Sequence, residues 1–179
     1  MGGAPIPFLM LRLLLLATVA LASLALALDV SWLNFLKPGT YSVGFSACVF
    51  ENYVAVVGGA DGMAYVALLD KDSGRKIKER IADPPYFYGC AASNGVLYVT
   101  GDPGLYAFDA QLNTLGVARP DGVVYMAVAA TGEYVYAAGS YGDKLYVEKH
   151  TAELTLVANV TYIEEGWDWA EAYGVAVDP

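Results

Sequence analysis

The sequence contains a single histidine, His150, and two cysteines, Cys48 and Cys90. A lone histidine without a second histidine or a paired cysteine excludes a transition-metal cluster of the zinc type. No Gly-x-Ser-x-Gly motif is present, so nothing presents a serine nucleophile to this histidine. We therefore expect His150 to be a surface or strand-end residue. The sequence indicates no catalytic or cofactor-binding residue and leaves metal binding open.

Charged residues are scarce, and basic ones scarcer still. They make up 16% of the chain, with 10 basic against 19 acidic residues and a net charge of -9. This balance repels a phosphate backbone, so nucleic acid is not an expected partner. The hydrophobic fraction of 56% excludes a disordered chain.

Part of that hydrophobicity belongs to an N-terminal leader. After Arg12, residues 13–28 carry no charge, and Ala25 to Ala27 offers a small-residue cleavage site. This pattern predicts a signal peptide over residues 1–28. An uncleaved membrane anchor reaching back to Ile6 is the alternative. Either one exports the rest of the chain, which we expect to be extracellular or anchored facing outside.

A unit of about forty residues follows the leader and repeats. It starts at Cys48, Cys90, Val128 and Val175, at intervals of 42, 38 and 47 residues. In the three full copies a glycine stands eleven positions after the start, and a run rich in β-branched and aromatic residues precedes it. This interval is typical of a four-stranded propeller blade.

The expected fold is therefore all-β, a partial β-propeller following a leader helix. Residues 29–179 hold the blades, three of them four-stranded, with the first strand of a fourth; their predicted bounds are 47–84, 85–122, 123–163 and 173–179. Residues 40–45 are expected to supply an outer strand of some blade. Three blades do not close a ring. We expect a fragment of a longer protein, or several copies that close the ring together.

Two stretches carry a resemblance to a known family. Residues 96–109, and residues 65–74 with their terminal Asp-Lys-Asp-Ser-Gly, are similar to the repeats of quinoprotein-like (PQQ-type) propellers. The resemblance covers about residues 47–179 and implies a propeller fold. In the pyrroloquinoline-quinone enzymes a tryptophan follows that glycine, whereas Lys78 stands here. The family stays unresolved and the cofactor unknown.

The two cysteines occupy equivalent positions in successive units. Export would permit a disulfide between Cys48 and Cys90, because inner strands of neighbouring blades converge. The alternative is that the site requires a small apolar residue, which free cysteine supplies, as valine does in the later copies.

Carboxylates recur in the loop after the second strand of each unit, at Asp61, Asp102 and Asp143. Such a rim would suit a cation or a sugar, but aspartate is also an ordinary turn residue. Residues 164–171 combine four carboxylates with two tryptophans, which fits a sugar-binding cleft or a solvated loop. The sequon at Asn159 predicts glycosylation if the chain is exported.

These features favour a non-enzymatic function. We expect an exported propeller that acts as a binding or interaction scaffold for a protein or glycan at the cell surface. Membrane contact is expected only through the N-terminal segment, and only if that segment is not cleaved. The alternative is an exported enzyme, a quinoprotein-like oxidoreductase or a glycan-active hydrolase or lyase, whose active site lies in further blades.

Overall fold

The computed structural model describes residues 32–33, 36–83 and 85–178, and within it residues 34–179 form one compact unit. The described residues form twelve strands in three four-stranded antiparallel sheets, each ordered as in the sequence. The first sheet contains β1 (Ser42–Phe50), β2 (Tyr53–Ala60), β3 (Met63–Asp70) and β4 (Lys76–Ala82). The second contains β5 (Phe87–Ser93), β6 (Val96–Gly101), β7 (Gly104–Phe108) and β8 (Thr114–Ala118). The third contains β9 (Val123–Ala130), β10 (Tyr134–Tyr141), β11 (Lys144–Thr151) and β12 (Leu156–Tyr162).

Tight turns separate the runs of β-branched and aromatic residues, which explains where the strands begin and end. Between β5 and β6, Asn94 and Gly95 both have positive φ (50° and 74°), and Ser93 pairs with Val96 across them. Asp61 and Gly62 (50° and 81°) do the same between β2 and β3. Two-residue loops with two positive φ angles match the twist of a hairpin, and Asn-Gly and Asp-Gly are the preferred sequences.

The prediction for residues 40–45 is wrong. Residues 42–45 are the first residues of β1, the first strand of the first sheet, which pairs with β2 from Phe50 back to Ser42. The ladder continues on both sides of a β-bulge at Phe45.

The three sheets pack face to face in chain order. Their first strands lie side by side, with β5 between β1 and β9. One apolar core fills the space between the first and second sheets, and another fills the space between the second and third. The second sheet is therefore buried on both faces, which is why the strands read as nearly continuous apolar runs. The first core includes Phe50, Phe87, Leu97, Tyr106 and Phe108; the second includes Tyr98, Leu105, Tyr125 and Tyr146.

Hydrogen bonds also tie each sheet to the next one. From β4, Arg80 Nη1 donates to Leu112 O at 2.7 Å, and its guanidinium lies over the Phe108 ring. From β6, Tyr98 OH donates to Ala152 O at 3.0 Å. These bonds fix how each sheet is turned against its neighbour.

This arrangement is an all-β, partial β-propeller whose blades are the three sheets, with first strands innermost. Residues 173–178 form no ladder within the described part of the chain. The predicted leader, 1–28, lies outside the described residues. Among those residues no helix has the length and hydropathy needed to span a bilayer.

Candidate functional site

Each inner strand carries a β-bulge at the same place. The register shifts between Gly44 and Ser46 on β1, between Phe87 and Gly89 on β5, and between Tyr125 and Ala127 on β9. The extra residues are Phe45, Tyr88 and Met126. A bulge redirects a side chain away from strand alternation, and bulges are over-represented beside functional sites.

The second strand supplies a glycine opposite every bulge. Gly58, Gly101 and Gly139 pair with the residue just before the bulged one. A Cβ on Gly58 would collide with Val43 O, and one on Gly139 with Val124 O. Glycine is needed here because the bulged backbone comes too close for any side chain.

The bulged side chains meet in one cleft. Together with Tyr173 they line a space of about 290 Å³, beside a smaller hollow of about 200 Å³ that reaches toward the disulfide. Phe45, Tyr88, Met126 and Tyr173 follow each other in the sequence at intervals of 43, 38 and 47 residues. The cleft is thus built by the repeat itself.

Aromatic rings form its main wall. The centroids of Phe45 and Tyr88 lie 5.3 Å apart with planes inclined at 60°. Tyr86 stands behind them, 6.0 Å from Phe45 and 6.2 Å from Tyr88. Phe45 remains 49% exposed and Tyr173 70% exposed, so the rings are accessible from solvent.

Carboxylates make the cleft electronegative. Glu171 accepts hydrogen bonds from Tyr173 OH at 2.6 Å and from Ser140 Oγ at 3.4 Å. Its hydrogen bond to Tyr173, followed by desolvation, raises the pKa of that phenol. Desolvation raises the pKa of Tyr88, and the negative charges of Asp102 and Glu171 raise it further.

The three rim aspartates have different surroundings. Asp61 accepts hydrogen bonds from the backbone N–H groups of Tyr41 (2.8 Å) and Thr40 (3.1 Å), which hold its pKa below the usual range. The negative charge of Asp102 contributes to the raised pKa of Tyr88 at the cleft. Asp143 is exposed, and its backbone O accepts from Ala170 N at 2.9 Å. Within the described residues no three acidic, histidine or cysteine side chains are placed to hold a metal ion.

Cys48 and Cys90 join β1 to β5 as a disulfide, with Cα atoms 5.9 Å apart. The two cysteines are not equivalent, contrary to the sequence prediction. Counted from the bulges, Cys90 corresponds to Ala47, and Cys48 to Ala91. The offset of one is required because side chains alternate along a strand: a bond between neighbouring blades needs one cysteine on each facing surface.

Asn159 lies in β12, the outermost strand of the third blade, and is exposed. Its side chain also interacts with Tyr146. Glycosylation of the sequon remains a prediction.

Of the two placements expected for His150, the strand end is the one observed: it is the penultimate residue of β11, and it is buried instead of lying at the surface. His150 is 2% exposed and lies in the core between the second and third blades. Its Nε2 is 2.7 Å from Glu148 Oε2 and its Nδ1 is 3.3 Å from Leu154 O. Glu148, also 2% exposed, accepts from Tyr146 OH at 2.6 Å and from Tyr125 OH. This buried network of four side chains was missed because histidine was considered alone.

The network makes stability sensitive to acid. Burial raises the pKa of Glu148, but hydrogen bonds from His150, Tyr125 and Tyr146 outweigh burial and hold the pKa below the usual range of a glutamate. A carboxylate with a depressed pKa stabilises the folded state above its unfolded pKa, and this contribution is lost as the pH falls through the folded pKa.

We therefore expect the free energy of unfolding to fall more steeply in the wild type than in Glu148→Gln between neutral pH and about pH 3. Urea denaturation at a series of pH values measures this. Parallel curves for the two proteins would contradict the assignment.

No family model and no curated protein matches the sequence. Among solved structures, the chain is similar to the computationally designed Ika8 protein, with a TM-score of 0.59 and 12% identity over 76% of this chain and 41% of that one. It also aligns with BamB from Moraxella catarrhalis at a TM-score of 0.40 and 11% identity, over 82% of this chain and 57% of that one. The chain spans about two fifths of the length of Ika8. The first likeness concerns the fold alone.

Proposed function

We propose that this chain belongs to an exported β-propeller scaffold that binds a protein or glycan ligand in the cleft at its inner strands. The observation that carries the proposal is the repeated bulge, which places Phe45, Tyr88 and Met126 beside Tyr173. Concave sites lined by aromatic side chains with few polar groups are the usual form of a binding pocket.

Export rests on two independent features. The leader over residues 13–28 has the pattern of a secretory signal. The Cys48–Cys90 bond suits an oxidising compartment, since disulfides are rare where thiols are kept reduced. N-terminal sequencing of the protein recovered from outside the cytoplasm of an expressing cell tests this. A protein that stays in the cytoplasm with its leader intact would contradict export.

The binding role is tested by titrating the ¹⁵N-labelled protein with neutral oligosaccharides, short peptides and small organic ions. We expect at least one class to shift cleft resonances, and Tyr88→Ala to weaken that binding about ten-fold, since an aromatic anchor contributes about 1.4 kcal/mol or more. The matched control is Tyr162→Ala, which removes an exposed tyrosine from the outer strand β12. If no class gives a signal that depends on Tyr88, the scaffold proposal fails.

A further inference from the structure

We infer that the inner-strand cleft is an aromatic cage for a quaternary ammonium group, the cationic head of a choline-like ligand. This inference rests on the proposed binding function and names its ligand. It depends on the rings that line the cleft, on the charge around it, and on which polar atoms remain free.

The rings supply the attraction. Phe45 and Tyr88 pack against each other with their planes inclined at 60°, and both line the cleft together with Tyr173 and Met126, so a group bound there contacts both rings. Aromatic faces attract cations through the ring quadrupole, and cages of this kind recognise methylated ammonium groups. A space of about 290 Å³ is at the lower end for small-molecule pockets and suits a compact head group.

The same attraction already operates elsewhere in this chain. Lys149 Nζ lies 3.6 Å from the centroid of the Tyr134 ring and 5.7 Å from that of Tyr136. On the inner strands no lysine or arginine lines the described cleft, so its rings have no internal cation.

The surrounding charge has the complementary sign. Glu171 reaches the cleft through Tyr173, and the chain as a whole carries a net charge of -9. The four side chains that line the cleft carry no charge of their own, so a bound cation experiences an uncompensated negative field.

The lining of the cleft offers few directed hydrogen-bonding groups. The polar side-chain atoms of its four lining residues are the hydroxyls of Tyr88 and Tyr173, and Tyr173 already donates to Glu171. A guanidinium or a sugar would need directed partners, whereas a quaternary ammonium needs only contact and charge.

The test compares choline with 3,3-dimethyl-1-butanol, which has the same shape without the charge. We expect choline to bind about ten-fold or more tightly than this neutral isostere, and more tightly than glycine betaine, whose carboxylate the cleft repels. A peptide carrying trimethyllysine, set against the same peptide with unmodified lysine, shows whether the cation is presented by a protein instead of a free small molecule.

Variants locate the site. Tyr88→Ala and Phe45→Ala should each weaken choline binding several-fold, Tyr88→Phe should retain it, and Tyr162→Ala should leave it unchanged. Glu171→Gln replaces a half-buried side chain by one of nearly the same shape; it should weaken choline binding several-fold but not the binding of the isostere.

Two results separate this inference from the function on which it rests. If choline and its isostere bind equally, or if only neutral sugars give a signal that depends on Tyr88, the cation cage is wrong and the scaffold function stands. If nothing binds in a way that depends on Tyr88, both are wrong.

Discussion

Replacing Glu148 with alanine is expected to lower the free energy of unfolding by about 3–5 kcal/mol, because each buried hydrogen-bond donor left without its acceptor costs about 1–3 kcal/mol. In the native protein this carboxylate receives hydrogen bonds from Tyr125, Tyr146 and His150, all buried. Without it, three donors lie in an apolar core with no acceptor. Urea denaturation at neutral pH measures the loss.

The repeat itself supplies the control. The position of Glu148 is occupied by Ala67 on β3, which is fully buried, so the fold accepts alanine there. In the second blade, Phe87 occupies the position of Tyr125, and Phe108 occupies the position of His150. We expect the quadruple variant Tyr125→Phe, Tyr146→Phe, Glu148→Leu, His150→Phe to recover most of the stability lost in Glu148→Ala, since replacing all partners by apolar groups is often nearly neutral. A loss of less than about 1 kcal/mol in Glu148→Ala would contradict this prediction, because the network would then contribute no more to stability than an average side chain.

Removing the disulfide should have an effect of similar size. The double variant Cys48→Ala, Cys90→Ala is expected to lose about 4 kcal/mol relative to the oxidised protein, the loop-closure value for a separation of 42 residues. The bond restricts the unfolded chain by holding β1 against β5. Denaturation with and without a reductant measures it.

Two further observations check that the change comes from the bond. Reduction should destabilise the wild type by the same amount and leave the double variant unaffected. Thiol titration of the denatured, unreduced protein should find no free cysteine. Two free thiols in that titration would contradict the prediction, and the alternative of two small apolar side chains would then hold.

The sequence was sufficient to predict the hairpins, but it was not sufficient to predict the β-bulges on the inner strands. Asp61-Gly62 and Asn94-Gly95 mark their turns directly, because positive φ restricts the choice of residue. The bulges leave no comparable mark. An extra residue in a strand rich in small side chains is visible only when the register with the neighbouring strand is known, so Phe45, Tyr88 and Met126 could not be recognised as a set.

Because the bulges were not visible in the sequence, the positions of the two cysteines within the repeat were also assigned wrongly. Cys48 and Cys90 each stand eleven residues before a glycine, which made them look equivalent. The glycine that matches Gly101 and Gly139 is Gly58, not Gly59, as the pairing opposite the bulges shows.

The buried network did leave a sign in the sequence. Tyr146, Glu148 and His150 alternate along one strand, so they share a face. That face is apolar in the other two blades, with Ala67 and Leu69 on β3 and Tyr106 and Phe108 on β7. Comparing the blades residue by residue, once the bulges are aligned, identifies the polar substitution.

The central claim is that the three sheets are blades arranged radially around their inner strands. In this arrangement, residues that face each other on neighbouring inner strands differ by one position in the repeat. An engineered bond tests it most directly. Ala91 on β5 corresponds to Cys48 and Val128 on β9 to Cys90, and both lie in the core between the second and third blades. In a Cys48→Ala, Cys90→Ala background, Ala91→Cys with Val128→Cys should form a disulfide, mapped by mass spectrometry of unreduced peptides. The control is the double variant Cys48→Ala, Val128→Cys, which retains Cys90. Because Cys90 faces the first blade, Cys90 and the cysteine at position 128 should stay reduced. The account is contradicted if the first pair remains free or if the control pair bonds as readily.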